Sequence, residues 1–203
     1  METMRTKISG LIIGALLLVV GFIFVNYFAW GWWGLFVGGI LAWVIAFKND
    51  SKLALTFPKK LWIIPLGIII YFVYSFIVSY SVKLIGFEWA ANPAVGQLSQ
   101  IIWILPFMLF GEELLGIGIL EGAKSKGLST LLSSLLSAVV FALLHVPAYW
   151  DGSLFSTLLH VLLLQGFARL LLNYVYLKTG RSIWGSWVTH LIIDLIALSV
   201  AVQ

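Results

Sequence analysis

Seven apolar runs, each near the ~20 residues needed to cross a hydrocarbon core, leave this chain little choice of fold. They occupy roughly 8–28, 30–47, 61–82, 98–120, 129–147, 153–177 and 183–202. With 62% hydrophobic and only 10% charged residues, the chain lacks the polar cover of a soluble domain. The expected fold is therefore all-α, a polytopic membrane helix bundle of about seven transmembrane helices. Ten Trp and seven Tyr suit aromatic belts at two interfaces. The absence of Cys excludes disulfides, thiolate metal sites and a cysteine nucleophile. The first run follows a basic start and has neither the shorter apolar region nor the small-x-small site of a cleaved signal, so it reads as a retained helix.

The net charge of +4 does not point to nucleic acid, because the basic residues do not cluster on a soluble face. Arg5 and Lys7 precede the first run, and Lys48, Lys52, Lys59 and Lys60 follow the second. Lys124 and Lys126 follow the fourth, and Lys178 and Arg181 follow the sixth. These loops alternate, so they share one side of the membrane, while the other side carries Lys83, Glu88 and Asp151. The positive-inside rule then predicts a cytoplasmic N-terminus and an external C-terminus, and the expected location is the plasma membrane.

Seven ionisable residues remain inside the runs: Glu112, Glu113, His145, His160, Arg169, His190 and Asp194. A charge at the bilayer centre costs roughly 2.5–3.5 kcal/mol on insertion scales, so such groups face a bundle interior. His190 and Asp194 are four residues apart and share a helix face, as do Phe141 and His145. The adjacent acids Glu112 and Glu113 diverge by about 100°. Carboxylates and imidazoles in this arrangement can deprotonate a water and stabilise an oxyanion. The same residue types can ligate a divalent metal or form a proton relay. A purely structural network of buried ion pairs is a further alternative.

"EELLGIGIL", "FALLH" and "HLIID", in this order, resemble the three motifs of the CPBP intramembrane proteases, the CAAX prenyl endopeptidases and their bacteriocin-processing and self-immunity relatives. The family pattern is EExxxR, FxxxH and HxxxN or HxxxD. The resemblance covers about 98–200 and divides the chain into N-terminal transmembrane helices, 1–97, and a catalytic core, 98–203. It implies an intramembrane endopeptidase acting on a peptide or membrane-anchored protein among membrane lipids. Glu112 matches the catalytic acid, Glu113 its supporting partner and His145 the second group that activates water. His190 and Asp194 match the pair that holds the oxyanion. Members are described both as metalloproteases and as metal-free glutamate enzymes, so a divalent metal such as zinc stays open.

Two departures stand out. Ile117 occupies the position of the motif arginine, behind Gly116, which leaves Glu113 without that partner. Arg169 on the sixth run is the candidate replacement, and Gln165 and Arg169 are candidates to line the cavity or pair with Glu113. Asp194 stands where many members have Asn, and an ionised Asp cannot donate to an oxyanion. These departures support a rival reading, a non-catalytic relative acting in bacteriocin immunity or as a binding partner. A proton-coupled transporter is a third reading, weakened by the lack of two similar halves. Counted at ~1.5 Å per residue, Glu112 and His190 fall at mid-membrane and His145 nearer the far side, a gap that helix tilt or a longer loop after Glu121 must close. Pro65 and Pro106 are expected to bend helices, His160 to be structural, and the glycine-rich "GLFVGGI" to pack closely.

Overall fold

The computed structural model describes residues 4–28 and 30–200. Among them there are helices and no strands: α1 (Ile8–Tyr27), α2 (Gly34–Phe47), α3 (Ile63–Leu84), α4 (Leu98–Ile101), α5 (Leu105–Ser125), α6 (Thr130–Leu144), α7 (Leu154–Val161), α8 (Phe167–Lys178) and α9 (Ile183–Val200). A π-helical turn, Leu162–Gly166, joins α7 to α8, so that the sixth apolar run is one continuous rod. The element order follows the seven expected runs. Positions 201 and 202 of the last run lie outside the described residues.

Five described segments are long and apolar enough to cross a membrane: Ile8–Tyr27, Gly31–Ala54, Ile63–Leu84, Leu154–Lys178 and Ile183–Val200, with Thr130–Leu144 a shorter apolar helix. Helix α5 is long enough but carries Glu112, Glu113, Glu121 and Lys124. It is the most buried of the long helices. The acids that make α5 polar are the reason it sits inside, with α2, α6, α8 and α9 packed around it. Helices α1 and α3 instead turn rows of apolar side chains outward, such as Ile12, Leu16 and Val19, or Ile69, Val73 and Phe76. That outer surface suits lipid.

The glycine-rich stretch of α2 packs closely on both sides, as the sequence predicts. A Cβ at Gly38 would lie 2.8 Å from the Leu17 carbonyl oxygen of α1, and one at Gly39 would lie 2.9 Å from Cβ of Leu114 on α5. Trp43, one turn on, donates from Nε1 to the Leu114 carbonyl at 2.7 Å and so satisfies its only polar atom in an apolar core. The two prolines stand at helix starts, and the fourth run is interrupted at 102–104, just before Pro106. Pro65 and Pro106 stand in the first turns of α3 and α5, where a missing N–H costs no hydrogen bond.

A buried ion cluster closes the end of the bundle beside the α8–α9 turn. Glu121 has no exposed surface. It accepts 3.0 Å hydrogen bonds from Tyr176 and from Nε of Arg181, and its second oxygen pairs with Arg181 Nη2. Arg181, expected as a loop charge, is thus drawn inward; its backbone has φ +61°. Nearby, Lys59 N bonds the Thr179 carbonyl (2.8 Å) and Ser182 Oγ the Thr56 carbonyl (2.6 Å), which ties the 48–62 linker to the same turn. Removing one partner of a buried pair strands the other charge, at a cost of about 3–5 kcal/mol. Glu121→Ala is therefore expected to lower the Tm of the detergent-solubilised protein by several degrees, and an unchanged melting curve would refute this role.

Candidate active site

The site is built around the two acids of α5. Their divergence sends them into different surroundings. Glu113 is fully buried between α8 and α9, whereas the side chain of Glu112 keeps 26% of its surface and lines a cavity. That cavity, about 1030 Å³, is also lined by His145, His190 and Asp194, with Tyr71 and Tyr149 in its wall. Four of the five expected site residues therefore meet in one space. The fifth, Glu113, does not line it and stands behind His190.

A lone carboxylate could not be buried at this position. Arg169 of α8 meets Glu113 edge on, with Nη1 donating to Oε1 at 2.9 Å and Nη2 to Oε2 at 3.0 Å. Such a bidentate pair combines charge with fixed geometry. Ser186 Oγ donates to Oε2, and His190 Nδ1 donates to Oε1 at 2.9 Å. The guanidinium is satisfied on its far side as well. Its Nε donates to Asn173 Oδ1 at 3.1 Å, Asn173 Nδ2 reaches the Ser134 carbonyl at 3.4 Å, and the charge lies 5.6 Å from the Phe141 ring centroid. Arg169 thus supplies, from another helix, the charge that Ile117 does not.

The imidazoles are each oriented by one nitrogen. His145 caps the C-terminus of α6 and donates from Nδ1 to the Phe141 carbonyl at 2.8 Å, which leaves Nε2 as the acceptor. His190, held through Nδ1 by Glu113, places Nε2 3.9 Å from Glu112 Oε2 and 3.9 Å from Asp194 Oδ1. His145, counted nearer the far side of the membrane, lines the same cavity as Glu112 and His190.

Around this centre, the loop from 145 to 153 supplies neutral and charged neighbours. Burial, followed by the nearby charges of Asp194 and other groups, pushes the Tyr149 phenol well above its ordinary value, so Tyr149 stays a hydrogen-bond donor. Asp151 accepts from Ser153 N and Thr157 Oγ1, both at 2.9 Å. Hydrogen bonds, with that from Ser156 foremost, hold its carboxyl below the usual range. His160 is buried and stacked on Trp89, with ring centroids 4.5 Å apart. Among the described residues, no three His, Asp or Glu side chains gather as a metal-binding set. Both Glu113 oxygens and His190 Nδ1 are bonded within the Arg169 network, while Glu112, His145, His190 and Asp194 line the cavity.

Sequence reasoning missed Ser186 and Asn173. Each lies four residues from a residue already singled out, His190 and Arg169, so helical spacing was the available signal. It also left Gln165 open between two roles, and the structure places it on the cavity wall beside Leu164.

A family model described as Rce1-like, type II CAAX prenyl endopeptidase, matches residues 94–196. No curated protein and no solved structure matches the chain. The matched stretch takes in both acids, the histidine after α6 and the His190–Asp194 pair, and spans just over half of the 203 residues. This integral membrane chain belongs to the Rce1-like family of type II CAAX prenyl endopeptidases.

Proposed function

We propose that the protein is an intramembrane endopeptidase that hydrolyses peptide bonds of membrane-associated peptides or proteins with a water activated by Glu112 and His145. The observation that carries this reading is the convergence of Glu112, His145, His190 and Asp194 on one cavity inside an apolar bundle. In the proposed reaction, Glu112 takes a proton from water while Nε2 of His145 accepts the second O–H and holds the oxygen in place. The oxygen attacks the scissile carbonyl carbon, and the electron pair moves onto the carbonyl oxygen. His190, in its imidazolium form, donates from Nε2 to that oxyanion, while Glu113 balances the imidazolium charge from behind. Collapse of the intermediate breaks the C–N bond, and the proton on Glu112 passes to the leaving amine. Asp194, ionised, orients His190 and does not itself donate. No metal is invoked in any step.

Residues 98–203 supply the reacting groups, and residues 1–97 complete the space around them through Leu35, Tyr71 and Trp89. The rival reading, a non-catalytic relative, drew its support from the missing arginine at position 117. Arg169 pairs with Glu113 in place of that arginine, which supports the hydrolytic reading, while Asp194 in place of Asn is the departure that still favours the rival.

A general base contributes about 10²–10⁴-fold. Glu112→Gln is expected to reduce cleavage by that amount while the protein stays folded, and His145→Ala to act in the same direction. The assay is mass spectrometry of membrane peptides and small proteins incubated with wild type or with Glu112→Gln. Products formed equally by both variants would sink the assignment of Glu112.

Orientation is testable independently because the chain has no Cys. With a cytoplasmic N-terminus in the plasma membrane, Glu88→Cys should react with an impermeant maleimide in intact cells. Lys126→Cys should react only after permeabilisation, and the reverse pattern would invert the topology.

A further inference from the structure

Arg169 has no exposed surface and does not line the cavity, yet it makes two bonds to a carboxylate that in turn holds His190. Its place is made by a gap in α5. A Cβ added at Gly116 would lie 2.6 Å from Cδ of Arg169, 2.6 Å from Nη1 and 2.9 Å from Cζ. These are atoms of a flexible side chain, but they have nowhere to go. The guanidinium is hemmed in by Glu113, Asn173 and Ser186, and α6 closes the same spot with Ser137 Oγ bonded to the Gly116 carbonyl at 2.7 Å. An alanine at 116 therefore pushes against the same guanidinium that is bonded to Glu113.

We propose that Arg169 is the positioning residue of this site: admitted by Gly116, it locks the Glu113 carboxylate and through it the ring of His190. The lock follows from the number of donors. Oε1 accepts from Arg169 Nη1 and His190 Nδ1, and Oε2 accepts from Arg169 Nη2 and Ser186 Oγ, so the carboxylate cannot rotate without breaking several bonds. A carboxylate fixed in this way sets both the proton position and the orientation of an imidazole, as an acidic partner does for a catalytic histidine in general. The ring is thereby aimed with Nε2 between Glu112 and Asp194. Glycine at 116 and arginine at 169 form one device, and neither has a purpose at this site without the other. The catalytic meaning of the inference rests on the role proposed for His190; its structural content does not.

The two parts can be tested separately in one set of variants. The chain has three histidines, so ¹⁵N-histidine labelling of the full-length protein in micelles gives a simple spectrum. Gly116→Ala, which leaves every charge in place, should shift the ring nitrogens of His190 and leave those of His145 and His160 unmoved. Arg169→Gln should do the same where it folds. Position 117 is one helical turn beyond Glu113 and on its face, so the double variant Arg169→Leu with Ile117→Arg returns a guanidinium to Glu113 from α5. It should bring the His190 signals back toward wild type. In parallel, kcat for a prenylated CAAX peptide should fall about tenfold or more in Gly116→Ala, with KM within about twofold, and recover in the double variant. Unmoved His190 signals in folded Gly116→Ala would overturn the positioning role, whatever the activity. Shifted signals in a protein whose wild type cleaves nothing would uphold the positioning role and count against the hydrolytic reading alone.

Discussion

Stripping water from the Glu113 carboxylate would cost several kcal/mol if it stood alone in the bundle, and the arrangement of the surrounding helices follows from how that cost is offset. Four donor atoms on two other helices converge on its two oxygens: Nη1 and Nη2 of Arg169, Oγ of Ser186 and Nδ1 of His190. Satisfying them all requires α5, α8 and α9 to lie at a fixed register to one another. Asn173 and Phe141 then complete the surroundings of the guanidinium and bring α6 into the same register. An ion pair of this kind is weak evidence for stability, since hydrophobic replacements can be as stable. It is better evidence for geometry, because a partly satisfied network would be worse than none.

That geometry gives two neighbouring acids different surroundings. Glu113 spends its bonding capacity on holding other groups, whereas Glu112, one residue earlier, keeps its oxygens free on the cavity side. The helical step of about 100° between adjacent residues is what allows one acid to be buried against an arginine while the other lines the cavity. The cluster of Glu121, Tyr176 and Arg181 solves the same problem at the other end of α5, so a polar helix is pinned inside an apolar bundle at two points. The apolar outer helices contribute differently. Helix α1 packs closely on α2, α2 lies against α5, and α3 brings Tyr71 to the cavity.

Much of this was readable in the chain. Length and hydropathy of the runs gave the helices and their order, because backbone satisfaction in lipid leaves few alternatives, although the fourth run is broken at 102–104. The ionisable residues inside the runs marked α5, α6 and α9 as the site-bearing helices, because charge there is expensive enough to be rare. The prolines were misread for a local reason. Pro65 and Pro106 lie inside apolar runs but in the first turns of helices that begin later than the runs do. Arg181 was misread for a tertiary one. It sits in a turn, as sequence says, yet the turn folds it back onto Glu121, sixty residues away in the chain.

The sequence by itself determined an all-helical membrane protein and its inventory of reactive groups, since both follow from composition and from spacing along single helices. The chain offered Arg169 as a candidate partner for Glu113, and the tertiary structure decided which acid faces the cavity, which pairs with that arginine, and that Gly116 makes room for it. No local rule could supply this, because Gly116 and Arg169 are related only by the contact of two helices, and an absent side chain leaves no signal until its neighbour is seen to fill the space.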